Sequence, residues 1–165
     1  IMQGMVLSLL KAQRYCYIQS PYFLPTDRIL YAMQTAALSG VDVRLMIPEK
    51  ADHWLLTVAS RSYLVDVMRA GVRVYLYQPG FMHSKTWVSD DSMASCGSTN
   101  MDFRSFEHNF EVNAFIYDHK VAKAIKQMFL KDQDSCRLLN LGSWESRSRW
   151  QRLKESFIRL LAPLL

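Results

Sequence analysis

An α/β fold, a mixed β-sheet sandwiched between helices, is what the order of apolar patterns in this chain predicts. Three observations carry that expectation. The first half alternates helix-period and strand-period segments at short spacings, the rhythm of a largely parallel sheet with helices on its faces. Beyond Gly80 the rhythm changes, and a hairpin and a further strand follow before helices return. Half of the 165 residues are hydrophobic, enough for one substantial core and too many for a disordered chain.

Each element has its own signal. Met2, Met5, Val6, Leu9 and Leu10 fall at helical spacing, and Lys11 and Arg14 close that run. Residues Tyr15 to Gln19 are aromatic and β-prone, and Ser20-Pro21 ends them as a strand. Pro21 and Pro25 bracket a loop holding Tyr22, Phe23 and Leu24, which either packs in the core or meets acyl chains beside a site. Thr26 is the expected N-cap of a helix to about Ser39, stopped by Gly40. Val41 to Ile47 reads as a strand ended by Pro48. Asp52 is the expected cap of a helix to about Ala70, with Gly71 just past its end, and Val72 to Tyr77 is a strand closed by Gln78-Pro79-Gly80. Met82 to Ser89 and Ser92 to Cys96 are predicted strands joined through Asp90-Asp91 as a tight hairpin, and Asn109 to Tyr117 is a third strand after a polar loop. Asp118 caps a helix to about Lys131, Arg137 to Leu141 is a short strand, and Ser143 opens a last helix to about Leu161. No internal repeat or low-complexity segment interrupts this order.

The formal net charge of +5 favours anionic partners, whether phospholipid headgroups, nucleic acid or phosphorylated metabolites, without ranking them. Three scattered cysteines, Cys16, Cys96 and Cys136, argue against a disulfide framework and a cysteine zinc site, and for a reducing cytoplasmic face. No apolar run approaches the roughly 18 residues of a membrane span, and no signal peptide is visible. The first residue is Ile1 rather than Met, so upstream sequence is expected.

The chemistry concentrates in His83-Ser84-Lys85-Thr86-Trp87-Val88-Ser89-Asp90, an H-x-K-x4-D spacing, followed by Gly97-Ser98-Thr99-Asn100-Met101-Asp102. On extended backbone His83 and Lys85 project to one face. The ammonium supplies fixed charge and donors for non-bridging phosphate oxygens, and a neutral imidazole attacks phosphorus or carries a proton. Ser98 and Asn100 add neutral donors, and Gly97 permits close backbone approach. Glu111, with Asn109 and Asn113 on one strand face, is the candidate for a carboxylate that orients the imidazole. Asp90, five residues beyond Lys85, faces away from it on a strand; its expected part is structural, accepting donors at the turn or pairing with a basic side chain. Arg104 and Asp102 flank the site and are able to pair with each other. His53, His108 and His119 lack matching partners. No H-E-x-x-H and no carboxylate cluster occurs, so neither a metal nor a cofactor is expected.

These residues resemble the HKD signature of the phospholipase D superfamily. The run from Gly97 to Phe106, with Asn109-Phe-Glu-Val-Asn113, Ser20-Pro-Tyr-Phe-Leu-Pro25 and the Leu-Leu-Ala-Pro-Leu-Leu end, is similar to the C-terminal half of bacterial cardiolipin synthases. The resemblance implies one phospholipase D-like catalytic domain over residues 1–165, forming half of a longer enzyme with two motifs. It implies His83, Lys85, Asp90 and Glu111 as the catalytic set, and Lys85, Ser98 and Asn100 as phosphate ligands. It further implies a metal-independent phosphatidyl transfer: one phosphatidylglycerol forms a phosphatidyl-histidine and releases glycerol, and a second takes the phosphatidyl group to give cardiolipin. The partner is then a second HKD half, from the same chain or a homodimer, working on phosphatidylglycerol at the cytoplasmic face of a bacterial inner membrane. In a C-terminal half His83 would be the acid/base. A homodimeric nuclease or phosphodiesterase of the same superfamily is the nearest rival, though nucleic acid is the less favoured partner. A non-catalytic membrane-binding domain is the other. The tail from Trp144 to Leu165 mixes Arg147, Arg149, Arg152, Lys154 and Arg159 with Trp150, Phe157 and Ile158, and fits either a helix on an anionic membrane or one packed on the sheet.

Overall fold

A computed structural model describes residues 1–160. In chain order the elements are α1 (Met2–Lys11), β1 (Tyr15–Gln19), β2 (Phe23–Leu24), α2 (Asp27–Leu38), β3 (Asp42–Pro48), α3 (Trp54–Arg69), β4 (Arg73–Tyr77), β5 (Thr86–Ser89), β6 (Met93–Gly97), β7 (Met101–Asp102), α4 (Phe103–Glu107), β8 (Asn113–Ile116), α5 (His119–Gln133), β9 (Cys136–Leu138), α6 (Leu141–Glu145) and α7 (Arg149–Arg159). Seven strands form one mixed sheet in the order β8-β6-β5-β1-β3-β4-β9. β1, β3 and β4 run parallel, and β5, β6, β8 and β9 pair antiparallel to their neighbours.

The central strands read as near-continuous apolar runs because helices cover both faces. Cys16, Ile18, Val43, Leu45, Ile47, Val74 and Leu76 point into a core shared with Leu9 of α1, Met33 of α2 and Leu64 of α3. Their alternates Tyr15, Tyr17, Met46 and Tyr75 point to the other face and meet Ala122 and Phe129 of α5. Gly40 and Gly71, at φ of 91° and 102°, end α2 and α3 with the same device. Each glycine amide bonds the carbonyl three residues back, and the next amide reaches five back to Ala36 or Val67, the Schellman pattern that needs a left-handed residue.

Several segments differ from the sequence reading, each for a physical reason. The strand expected over Met82 to Ser89 begins only at Thr86, because its partner β1 ends opposite it at Gln19 and the chain then turns through Ser20-Pro21. The strand expected over Asn109 to Tyr117 contracts to β8 because β6 ends at Gly97, opposite Asn113. The polar loop holds β7, which pairs with β2, and α4, whose N-cap Asp102 accepts from the Ser105 amide at 2.7 Å. Asp52 does not cap α3; it accepts the His53 amide and the Tyr22 hydroxyl at 2.9 Å. The short strand expected over Arg137 to Leu141 is β9, and Leu141 instead opens α6. The single last helix is two, broken where Ser148 caps α7 and Arg147 turns back over the Trp144 ring at 3.4 Å. Its predicted end at Leu161 lies outside the described residues.

Candidate active site

The carboxyl ends of the parallel strands β1, β3 and β4 define one edge of the sheet, the edge at which open α/β sheets bind ligands. Antiparallel pairing brings the start of β5 to that edge, with Thr86 opposite Gln19, and the end of β6, with Gly97 opposite Asn113. His83, Lys85, Ser98, Asn100 and Glu111 all lie in irregular backbone immediately beyond these strand ends. The edge is tied together by buried polar side chains. Gln19 accepts from the Thr86 hydroxyl at 2.7 Å and donates to Asp132 of α5 at 2.7 Å. Ser20 accepts the Met101 amide at 3.0 Å, joining the Ser20-Pro21 turn to β7. Gly97 has no room for a side chain: a Cβ there would collide with the Val112 carbonyl and the Asn113 amide oxygen.

His83 is exposed, and among the described residues neither of its ring nitrogens is hydrogen-bonded; its carbonyl accepts the Lys85 ammonium at 3.0 Å. Its ring lies 5.4 Å from Phe81, which in turn lies 6.1 Å from Tyr22. Lys85 is half-buried. Desolvation holds its pKa below the ordinary lysine value, and the charges of Glu111 and then Asp102 only partly oppose that. A partly desolvated ammonium that, among the described residues, has no direct carboxylate partner is primed for an anion.

Glu111 does not lie on a strand behind His83. Its carboxylate accepts the Ser98 hydroxyl in a short hydrogen bond, and accepts from Asn109 at 3.4 Å. Ser98 in turn accepts the Val112 amide at 3.0 Å, so its hydroxyl is fully engaged. Asn100 Oδ1 is buried without a hydrogen-bond partner beside a shallow cleft of about 270 Å³ lined by Tyr22, Leu56, Asp102, Arg104 and Asn109. Asp102 and Arg104 do not pair, because Asp102 is committed to capping α4. Two residues not predicted from the sequence to have a role in the site hold the edge. Asn113 accepts from the Thr99 hydroxyl at 2.7 Å and donates to Ser95 at 3.1 Å, and Thr86 secures Gln19. The only signal for Asn113 was its place one alternation from Glu111.

Asp90 stands at the far end of β5. It and Asp91 both adopt positive φ, 53° and 56°, the two left-handed positions of a type I′ hairpin turn closed by Ser92 N–H to the Ser89 carbonyl. The Asp90 carboxylate accepts the backbone amides of Gln13, Arg14 and Tyr15 at 2.8, 3.0 and 2.9 Å. It therefore fastens the α1–β1 connection to the hairpin rather than touching the site. His53, His108 and His119 are exposed, and none is bonded to or stacked on His83; His119 Nδ1 meets the Asp91 carbonyl at 2.7 Å. Among the described residues no group of three or more His, Cys, Asp or Glu is placed to hold a metal ion, and all three cysteines are free.

A mixed seven-stranded sheet with an H-x-K segment entering at its carboxyl edge is the phospholipase D-like fold. Solved structures that share it include Nuc from Salmonella typhimurium, a phospholipase D family member, with a TM-score of 0.72 at 19% identity over 84% of this chain and 90% of that one, and phosphatidylserine synthase from Haemophilus influenzae, with 0.79 at 17% over 99% and 44%. At those identities the likeness is of fold alone. The family model for the cardiolipin synthase phospholipase D-like domain matches residues 5–133. The chain is 46% identical to the major cardiolipin synthase ClsA of Bacillus subtilis over all 165 residues, which cover 34% of that protein. It is likewise 46% identical to a cardiolipin synthase of Clostridium perfringens over 154 residues, 93% of this chain and 32% of the relative. The chain belongs to the phospholipase D-like domain family of cardiolipin synthases. It spans about a third of the length of the curated relatives it matches.

Proposed function

We propose that this chain is the C-terminal catalytic half of a membrane phosphatidyltransferase that joins two phosphatidylglycerol molecules into cardiolipin and glycerol. The observation that carries the proposal is an unbonded, exposed imidazole next to a desolvated ammonium at the ligand-binding edge of the sheet. The relatives named as cardiolipin synthases support the choice of lipid. In this reading the histidine of a second motif attacks phosphorus, forming a P–N bond as the P–O bond to glycerol breaks. His83 gives its proton to the departing alkoxide, then takes one from the hydroxyl of the second phosphatidylglycerol as that oxygen displaces the histidine. Lys85 and Asn100 hold the non-bridging oxygens, and Ser98 joins them by exchanging its bond to Glu111 for one to phosphate. Glu111 orients an imidazole only when that imidazole is brought to it, because within this chain its carboxylate is held by Ser98 and Asn109.

The test is cardiolipin formation from phosphatidylglycerol by the parent protein, followed by mass spectrometry of the lipid. Loss of a general acid predicts that His83→Ala slows the reaction by about 10²- to 10⁴-fold. Turnover at the unaltered rate would remove His83 from the mechanism. Cleavage of nucleic acid with no lipid turnover would instead place the chain with the phosphodiesterases.

A further inference from the structure

Helix α7 is amphipathic, but it is mounted with its apolar stripe facing outwards. Against α3 it buries Ile158, which packs on Leu24 and Ala59, together with an acid, Glu155. Arg147 clamps that acid through two hydrogen bonds of 2.6 and 2.9 Å, and Arg159 pairs with Asp66 at 2.6 Å. The larger apolar side chains point to solvent: Trp150, Leu153, Phe157 and Leu160 are 82%, 61%, 68% and 75% exposed. At helical pitch these four occupy one sector about 80° wide, centred roughly 150° from the Glu155 and Ile158 side. A helix that only needed a core would carry the opposite arrangement.

The charges around the stripe say what covers it. Arg149 borders it on one side and Lys154 on the other, with Arg152 beyond Arg149, and all three are exposed. The single acid of the helix is the buried Glu155, so its solvent face carries no anion: its exposed side chains are cations, large apolar groups and the neutral Gln151 and Ser156. That combination matches an anionic bilayer surface, with apolar side chains in the acyl boundary and long basic side chains reaching back to the phosphates. The surface runs on towards the site. Lys154 lies 5.1 Å from the exposed Trp54 ring, and Trp54 begins α3 two residues after Asp52, the acceptor of Tyr22, whose ring neighbours Phe81.

We propose that α7 is an interfacial helix that docks this domain on an anionic lipid bilayer through Trp150, Leu153, Phe157 and Leu160, with Arg149, Arg152 and Lys154 on the headgroup phosphates. The inference shares with the proposed function only the choice of a bilayer as partner, and it stands without the chemistry of His83. Its readout is therefore binding, not turnover. The 165-residue chain is sedimented with phosphatidylcholine vesicles with and without about 30% phosphatidylglycerol. Binding to the anionic vesicles is expected, and Leu153→Glu with Phe157→Glu weakens partitioning about tenfold or more at unchanged circular dichroism and Tm. Replacing Arg149, Arg152 and Lys154 by Gln weakens it on the order of a hundredfold, about fivefold per charge. Brominated acyl chains quench tryptophan fluorescence in the original chain, and the quenching falls in Trp150→Phe, leaving the part due to the exposed Trp54. Vesicle binding that both sets of substitutions leave intact would overturn the proposal. So would a chain that ignores vesicles and instead self-associates through the same stripe, which would make the face a protein interface.

Discussion

Lys85 is the residue on which the electrostatics of the site turn. Burial lowers its pKa, with Glu111 and Asp102 opposing more weakly, so the charged form is disfavoured in the folded chain relative to the unfolded one. Between its folded pKa and the ordinary value of 10.5 the unfolded state binds more protons, and the cost of holding Lys85 charged is relieved as pH rises through that window. Stability and ligand binding then run in opposite directions. Inorganic phosphate binding, measured by calorimetry from about pH 8 upwards, is expected to weaken with a midpoint below that of a free lysine. Lys85→Arg should carry binding to higher pH, and Lys85→Gln should weaken it throughout. A Lys85→Gln chain that binds phosphate as tightly as the original would show that the ammonium is not the clamp. The pairing of His83 with Lys85 was legible because two residue types at a fixed spacing define a chemistry. The bond from Ser98 to Glu111 was not, because it joins loops 13 residues apart whose approach depends on where β6 and β8 stop.

At the scale of elements, the hairpin gives a motif residue a structural task, the holding of the α1–β1 connection. Two consecutive aspartates in left-handed backbone are a costly way to build a turn that Asn-Gly would make readily. The cost is offset by what the side chains do. Asp90 takes three amides from the α1–β1 connection, and Asp91 takes the Tyr15 hydroxyl at 2.9 Å and ion pairs from Arg14 and Lys126 at 3.1 Å. Asp90→Ala removes the charged acceptor of the part-buried Tyr15 amide and of the exposed Gln13 and Arg14 amides, and is expected to destabilise the fold by about 2–4 kcal/mol. That corresponds to a Tm lower by about 5–15 °C. Asp90→Asn, which keeps one acceptor oxygen, should lose less. At a temperature where the variant is folded its KM for lipid should match the original, and a raised KM under those conditions would place Asp90 at the site after all. The same reasoning explains which elements the sequence revealed. Helices ended by Gly40 and Gly71 announce themselves locally, whereas the lengths of β5 and β8 are set by the ends of their partners.

At the scale of the whole molecule, the sheet presents one His–Lys pair at its carboxyl edge, whereas the proposed two-step transfer needs two groups, a nucleophile and a proton carrier. Among the described residues none of His53, His108 and His119 is bonded to or stacked on His83, and none has a lysine two residues on, so the second group is expected from another motif. A site completed by another motif makes a kinetic prediction that a self-sufficient site does not. The isolated chain, assayed on phosphatidylglycerol in mixed micelles, should show activity per molecule that falls as the protein is diluted, or none until the remainder of the parent protein is added in trans. In a mixture of His83→Ala and original chains, a homodimer would leave activity proportional to the square of the original fraction, because only pairs with two intact histidines work. An enzyme completed by a different half would instead lose activity in simple proportion once that half is limiting. Activity per molecule that stays constant down to nanomolar protein would mean one motif suffices, and would overturn the shared site. The alternating helices and strands of the first half and the two-strand turn at Asp90-Asp91 made the layered fold readable in advance. The expectation of a second motif comes from the sequence as well, since one H-x-K motif supplies one motif imidazole against two proposed roles, nucleophile and proton carrier. What only the folded chain reveals is that an exposed imidazole and a half-buried ammonium lie just ahead of β5, at the carboxyl edge of the parallel strands.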